Sequence, residues 1–273
     1  MKLLVQGDDY GFTKGVTYGI LDAIDNGALR NTGMFPNMPL APWAAEMWKA
    51  KDRPQACLGI DFNIVSGPST ADPGSVPSLV DDKGEFIRSG ARLKDPRFQT
   101  EEGRREMFPY EEVYREIRAQ YDRFVALMGR KPGYLHGHSL MHEHYNEAIR
   151  QVSQEEGVPY SMDIQQKYGF SSLFQKMPHG GMPKNPAAAK KVFDPMDQLN
   201  KTPLENFMKY ADEWLKEDYV SFGGHPGFVD AELMSLTTLS LERMRDHEAM
   251  TSPVLKKWVE DNGVELITYY DLY

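Results

Sequence analysis

The stretch from Lys2 to Gly11, KLLVQGDDYG, decides how the chain folds. Its first five residues predict a short buried strand that ends at Gly7. The segment Gly15–Asn26 follows, with apolar side chains at positions i, i+4 and i+8, and it predicts an amphipathic helix. A buried strand followed directly by a helix is the repeating unit of parallel α/β folds.

Strand-like and helix-like segments alternate along the rest of the chain. Further strands are predicted at Asn31–Pro36, Leu58–Val65, Tyr134–His138, Tyr160–Ile164, Tyr219–Phe222 and Val264–Tyr269. Further helices are predicted at Ala41–Ala50, Glu111–Met128, Tyr145–Glu156, Leu204–Leu215, Ser240–Ala249 and Pro253–Asn262. Six or seven such units over 273 residues favour a barrel over an open sheet. We find no linker or internal repeat, so a single domain over residues 1–273 is expected.

Two long segments, Ser66–Met107 and Asp163–Asn200, show little periodicity. Connections of this length inside a compact domain are usually functional loops. Both segments follow predicted strands, and the site of an α/β barrel lies at the C-terminal ends of its strands. We therefore expect both segments to wall the site.

Composition excludes several classes of partner and cofactor. With 31 Lys and Arg against 40 Asp and Glu, the net charge of −9 disfavours nucleic acid and anionic membranes. No run approaches the ~18 apolar residues of a membrane span, and the N-terminal apolar run is too short for a signal peptide, so we expect a cytoplasmic protein.

Cys57 is the single cysteine, so histidines and carboxylates must hold any metal. Motifs for nucleotide binding and for serine hydrolases are absent.

The first candidate site residues are the adjacent carboxylates Asp8 and Asp9, directly after the first strand. Their mutual repulsion is unfavourable unless a positive group offsets it. One could bind a divalent cation while the other acts as a base. The alternative is a solvated turn, which these residues favour when they are taken alone.

Four of the seven histidines lie within nine residues, at positions 136, 138, 142 and 144. Imidazole binds Zn, Fe, Co and Ni, so the cluster favours metal binding or catalysis over a polar surface loop. His225, between Gly-Gly and Pro-Gly, allows close approach by a ligand but also suits a turn.

Asp61 and the arginines near the C-terminus are further polar residues with both a functional and a simpler explanation. Asp61 lies in mid-strand, and if buried it needs a metal or an arginine as partner. If that face of the strand is exposed, it needs none. Arg243 and Arg245 could bind a carboxylate such as Asp246, but we interpret both as surface arginines of a helix.

Five blocks of the sequence, taken together, resemble the YdjC-like carbohydrate deacetylase family, whose best-known activity is chitooligosaccharide deacetylation. The blocks match that family in order and spacing and are Gly7–Gly11, Gly59–Asn63, Pro77–Asp81, Tyr134–His138 and Gly224–Phe228. A helix with an Arg-x-x-Glu-like pattern and the last strand, from Gly263, are also similar to the family.

The resemblance implies a distorted (β/α) barrel with long loops at the C-terminal ends of its strands. It also implies a divalent metal ion (Zn, Mg, Mn or Co) and a hydrolase that removes an N-acetyl group from an amino sugar or a short N-acetylated oligosaccharide. Asp8 matches the family's catalytic base, and Asp9 and His138 match its metal ligands. His225 matches a histidine expected to act as an acid or a stabiliser.

The sequence departs from the family pattern at two positions. Asp61 stands where the family usually has its third ligand, a histidine, and His136 stands where the family has an aspartate. We therefore expect Asp9, Asp61 and His138 to hold the metal. Alternatively, His136 or His142 supplies the missing imidazole, or the protein is a non-catalytic, sugar-binding relative.

A glycoside hydrolase with paired carboxylates is the alternative enzyme. Asp8 and Asp9 fit it poorly, because successive side chains on a strand diverge. The expected partner is a small amino-sugar molecule, with no nucleic acid and no membrane. A homodimer is compatible with the sequence, which says little about oligomeric state.

Overall fold

One parallel sheet of seven strands organises the computed structural model, which describes residues 1–177 and 194–273. The strands are β1 (Lys2–Tyr10), β2 (Asn31–Met34), β3 (Cys57–Phe62), β4 (Leu135–Gly137), β5 (Ser171–Ser172), β6 (Tyr219–Gly224) and β7 (Glu265–Ile267). Their order is β4-β3-β2-β1-β6-β5, and β7 pairs with the beginning of β1. β1 is therefore the central strand, with three parallel partners.

Helices connect the strands and surround the sheet. They are α1 (Lys14–Asn26), α2 (Ala41–Lys49), α3 (Ser89–Arg92), α4 (Glu101–Met107), α5 (Tyr110–Met128), α6 (Glu143–Glu156), α7 (Ser161–Tyr168), α8 (Leu173–Lys176), α9 (Pro203–Met208), α10 (Ala211–Trp214), α11 (Ala231–Leu236), α12 (Glu242–Thr251) and α13 (Pro253–Asp261). Within the described residues, no pairing closes the sheet between β4 and β5. The curled sheet is thus an incomplete barrel, and the predicted distorted (β/α) barrel is confirmed.

The side chains of β1 alternate between two cores. Leu3 and Val5 belong to the large apolar cluster that includes the buried face of α1. Leu4 belongs to a smaller cluster with Tyr134 and Ile267, on the opposite face of the sheet. Burial on both faces is typical of parallel strands covered by helices. No helix in the described ranges has the length and apolarity needed to cross a membrane.

The long segment after β3 is folded onto one face of α5. The carboxylate of Glu116, wholly buried, accepts hydrogen bonds from the backbone amides of Thr70 and Ala71. One turn earlier, Glu112 accepts from the amide of Ser78 at 2.7 Å. These bonds satisfy loop amides that would otherwise be unpaired, and they fix the segment to the barrel.

The second long segment contains regular structure that was not predicted. The strand expected at Tyr160–Ile164 is wrong: only Tyr160 makes a bridge, to Leu135, and helix α7 begins at the next residue. Periodicity alone does not separate short apolar runs into strands and helices. Gly169, with a φ of 65°, ends the helix. Residues 178–193 of this predicted loop lie outside the described part of the chain.

The helix expected at Leu204–Leu215 is also interrupted, since α9 and α10 are separate helices. Pairing in the parallel sheet otherwise follows the predicted strands, with small differences at their ends. β1 is the exception, because it continues to Tyr10 and therefore includes both aspartates.

His142 caps the N-terminus of α6 and does so as a neutral ring. Its Nδ1 accepts a hydrogen bond from the amide of Tyr145 at 3.3 Å, and the ring stacks on Phe108 at 4.1 Å between centroids. Burial lowers the pKa of His142 to about 3. An unfolded chain would bind a proton near pH ~6.5, whereas the folded chain does not.

This difference predicts acid sensitivity that one substitution removes. Because the pKa of His142 is lowered by folding, its contribution to stability is lost as the pH falls below ~6.5. Between pH 6 and 4, the free energy of unfolding should fall by up to about 1.4 kcal/mol per pH unit more steeply in the wild type than in His142→Asn. Asparagine keeps the cap but does not titrate. Urea unfolding at several pH values measures the slopes, and parallel slopes would contradict the assignment.

Candidate metal centre

The predicted site residues lie together at one edge of the sheet. Asp8 and Asp9 are near the end of β1, Asp61 is near the end of β3, and His138 and His225 directly follow β4 and β6. Since all these strands are parallel, their C-terminal ends face the same side, as expected for the site of a barrel.

A β-bulge brings the two adjacent aspartates to this edge. In the register of β1 against β2, Gly7 pairs with Thr32 and Tyr10 with Met34, so two aspartates lie opposite Gly33 alone. Asp9 has a φ of 75°, in the left-handed region that residues other than glycine rarely adopt. Bulges of this kind redirect side chains at functional edges of sheets.

Gly33 also allows β3 to approach at this point. A Cβ atom on this glycine would lie 2.7 Å from the Cβ of Asp61, which is closer than real Cβ atoms pack. The absent side chain therefore lets Asp61 lie beside the bulge. The amide of Asp9 donates a hydrogen bond to Asp61 Oδ2 at 3.3 Å.

Asp9, Asp61 and His138 form a compact group of possible ligands, with one donor atom of each within 4.8 Å of the others. His138 Nδ1 lies 3.1 Å from Asp9 Oδ1 and 3.9 Å from Asp61 Oδ2. The backbone of His138 is held by a hydrogen bond from its amide to the carbonyl of Phe62, the last residue of β3, at 2.8 Å. Both carboxylates are wholly buried, while the His138 side chain is 19% exposed. This exposed side of the group is where a ligand could enter.

The two buried carboxylates have opposite pKa shifts. Burial favours the neutral form of Asp9, but the charges of Arg243 and His138 outweigh it and hold its pKa well below the usual range. Burial, together with the charges of Asp8 and Asp9, raises the pKa of Asp61 well above the usual range. A cation beside Asp61 would lower this pKa and favour the ionised carboxylate.

The donor atoms fit a divalent cation. Within the described ranges, Asp9 Oδ1 and Asp61 Oδ1 are buried and accept no hydrogen bond. Leaving such oxygens without a partner is unfavourable, and a metal ion would satisfy both. Two carboxylate oxygens and one imidazole nitrogen are donors that zinc, manganese and cobalt accept.

Arg243 is a residue of the site that the sequence analysis missed. We expected a surface arginine, but its side chain is 2% exposed and its Nη2 donates to Asp9 Oδ2 at 2.5 Å. The expectation fails because α12 packs against α1 and places this arginine at the end of β1, and local sequence does not reveal a contact between such distant segments. The available signal was the similarity of this helix to the family, and that similarity did not distinguish Arg243 from Arg245. Arg245 is at the surface, as expected, and pairs with Glu248.

The other clustered histidines do not join the group. His136 Nδ1 lies 2.7 Å from Ser161 Oγ, and its Nε2 lies 3.9 Å from Asp8 Oδ2. Burial lowers the pKa of His136, so this ring is neutral near pH 7. His142 is the cap of α6. The arrangement gives no support to either residue as the substitute for the family's third ligand.

Asp8 is oriented by residues that had no predicted role. Gln6 Nε2 donates to Asp8 Oδ1 at 2.7 Å, and Tyr269 donates its hydroxyl proton to Gln6 Oε1 at 2.7 Å. Gln165 in turn donates to the Tyr269 hydroxyl. This chain of hydrogen bonds fixes one oxygen of Asp8. The Asp8 side chain is 14% exposed, in contrast to the wholly buried Asp9.

The buried ion pair predicts different effects for two neighbouring arginines. Arg243→Met should lower the free energy of unfolding by about 3–5 kcal/mol, because it leaves Asp9 buried without its partner. Arg245→Met, the same change on the same helix, should lower it by less than about 1 kcal/mol, since exposed ion pairs contribute little. Urea unfolding in the presence of a chelator provides both values. Equal losses would show that the Arg243–Asp9 pair is not a stabilising contact.

Known proteins match this chain over nearly its whole length. The family model described as YdjC-like protein matches residues 2–261. The chain is 30% identical to a protein of Listeria innocua named carbohydrate deacetylase 2, with 100% of this chain and 99% of that protein covered. It is 28% identical to a chitooligosaccharide deacetylase of Klebsiella pneumoniae, covering 99% and 98% respectively.

A solved structure has the same fold. It is from Enterococcus faecalis V583, its name describes a candidate cellobiose-phosphate cleavage protein, and it superposes with a TM-score of 0.76 at 22% identity over 99% of this chain and 98% of that one. At this identity the likeness concerns the fold alone. The match to the family model over nearly the whole chain is decisive for membership: this chain belongs to the YdjC-like family.

Proposed function

We propose that this protein is a metal-dependent hydrolase that removes an N-acetyl group from an amino sugar or a short N-acetylated oligosaccharide. The observation that carries the proposal is the group formed by Asp9, Asp61 and His138 beside a third, more accessible carboxylate, Asp8. The names of the relatives, which include carbohydrate deacetylase, support the substrate class.

Asp9, Asp61 and His138 would hold the metal ion. When bound there, a divalent ion lowers the pKa of water and polarises an amide carbonyl. Arg243 contacts Asp9 through Oδ2, which leaves Oδ1 available to the ion. This arrangement keeps Asp9 ionised and fixes its orientation before any ligand binds.

Asp8 is the proposed general base. Its Oδ1 accepts from Gln6, and its other oxygen has His136 Nε2 at 3.9 Å, beyond normal hydrogen-bond length. Arg243 pairs with Asp9 and not with Asp8. Asp8 can therefore accept the proton of an attacking water, and Gln6 keeps the carboxylate in position during the transfer.

His225 is the proposed general acid. β6 pairs with β1 on the side opposite to β2 and β3, so His225 and the Asp61–His138 pair lie on different sides of the aspartates. An amide bound between them would have its carbonyl near the ligand group and its leaving nitrogen near His225. The imidazole would donate a proton to that nitrogen as the C–N bond breaks.

The glycoside hydrolase alternative loses support from this geometry. Asp9 is already paired with Arg243, and its ligand oxygen lies within 4.8 Å of that of Asp61. The two carboxyl groups of glycosidases are about 5–9.5 Å apart and flank the glycosidic bond. Two wholly buried carboxylates cannot flank a sugar ring in that way.

Metal binding by these three residues predicts a selective loss of affinity. Asp61→Asn and His138→Ala should each weaken zinc binding by at least about tenfold, the smallest effect that even supporting residues of metal sites show. His142→Asn should leave the affinity unchanged, because that ring lies in the cap of α6. Calorimetry with zinc, repeated with cobalt and manganese, measures the affinities. If His142→Asn lowered the zinc affinity and Asp61→Asn did not, His142 would be the third ligand in place of Asp61.

Catalysis by Asp8 and His225 predicts losses of turnover without loss of metal. Asp8→Asn keeps the shape of the side chain but cannot accept a proton, so kcat should fall by roughly 10²–10⁴. His225→Ala should also lower kcat, and both variants should bind zinc as the wild type does. The assay is acetate release from N-acetylglucosamine oligomers. Wild-type rates in both variants would remove these residues from the mechanism, and a metal-free, inactive wild type would favour a sugar-binding protein.

A further inference from the structure

Helix α12 contacts the site at two places, one helical turn apart. Arg243 reaches Asp9 at the end of β1, and Asp246, three residues later, reaches the residue that follows β6. Asp246 Oδ2 accepts a hydrogen bond from the backbone amide of His225 at 2.9 Å. Asp246 is only 2% exposed, so this carboxylate is committed to protein contacts.

The chain around His225 is shaped to receive this carboxylate. A Cβ atom on Gly224 would lie 2.9 Å from Asp246 Cγ, so the glycine before His225 leaves room for the contact. Pro226 follows, which restricts the backbone of His225 and offers no amide of its own. α12 holds this turn through two amides: that of His225, which donates to Asp246, and that of Gly227, which donates to the carbonyl of Arg243 at 3.3 Å.

A lysine from another segment contacts the same oxygen. Lys201 Nζ lies 2.8 Å from Asp246 Oδ2 and 3.0 Å from Glu242 Oε2. Gln198, three residues before Lys201, accepts from the amides of Ser240 and Glu242 at the beginning of α12. The lysine thus belongs to a segment that is itself attached to the helix.

We propose that Asp246 is a positioning residue for His225: it holds the backbone of His225 so that the ring meets the substrate, and Lys201 fixes the carboxylate in that place. The inference rests on the proposed function, because it requires His225 to act in the reaction. A carboxylate that accepts from both an ammonium and an amide makes charge-assisted hydrogen bonds, which are shorter and stronger than neutral ones. Such bonds can define the position of a loop residue within a fraction of an ångström.

The test is Asp246→Asn, which keeps the size of the side chain and removes its charge. We expect kcat for acetate release from N-acetylglucosamine oligomers to fall by up to about 100-fold, the effect of misplacing a catalytic group by ~1 Å. KM should change by less than about twofold, and zinc affinity should be unchanged. Glu248→Gln, the same chemical change on an exposed residue of α12, is the matched control and should retain wild-type kcat.

A double-mutant cycle separates positioning from general stabilisation. In the His225→Ala background, Asp246→Asn should cause no further loss of kcat, because the group it positions is gone. Gly224→Ala, which displaces the Asp246 carboxylate, should reproduce the loss seen in Asp246→Asn if the latter folds poorly. Equal losses with and without the His225 ring would overturn the inference.

A second measurement keeps the inference distinct from the proposed function. In zinc-loaded protein labelled with ¹⁵N-histidine, the ring signals of His225 should shift in Asp246→Asn and not in Glu248→Gln. Unchanged ring signals overturn the positioning role whatever the activity. If the signals shift but His225→Ala retains wild-type kcat, the proposed catalytic role fails, and with it the role of Asp246 in the reaction.

Discussion

The burial of two carboxylates side by side is the constraint on which the rest of this edge of the sheet depends. Asp9 and Asp61 are both wholly buried, and like charges at this separation repel strongly in a medium of low polarity. Arg243 balances the charge of Asp9 from one side, and burial favours the neutral form of Asp61. The position of α12 is therefore an electrostatic requirement as well as a packing one, since without its arginine the centre of the sheet would hold uncompensated negative charge.

The spacing of apolar residues along the sequence correctly predicted the strands and helices that depend on neighbouring residues alone. The apolar run of β1 and the helical spacing of α1 are properties of a few neighbouring residues, and both elements form as expected. The strand predicted at Tyr160–Ile164 is wrong, because a short apolar run does not distinguish a strand from a helix: only Tyr160 makes a bridge, and α7 begins at Ser161. The candidate residues of the site are marked by residue type and position, the similarity to a family adds their roles, and their common edge follows from the parallel strands.

The features that were missed depend on contacts between distant parts of the chain. The role of Arg243 depends on a helix more than 200 residues from Asp9 in the chain, and the local sequence does not mark which of its arginines is buried. The bulge at Asp8 and Asp9 requires knowledge of the register between β1 and β2. The sequence gives Gln6 no role beyond that of a strand residue. Its hydrogen bond to Asp8 forms within a chain that includes Tyr269, which is distant in sequence.

The bulge has a consequence for how this part of the gene can change. It adds one residue to β1 without adding one to β2, so Asp8 and Asp9 form a unit whose length is fixed even where its side chains can vary. Deleting either codon would restore the regular pleat, with Tyr10 still opposite Met34, and it would leave a single aspartate opposite Gly33. A substitution here removes one carboxylate and leaves the bulge in place, whereas a deletion removes the bulge itself.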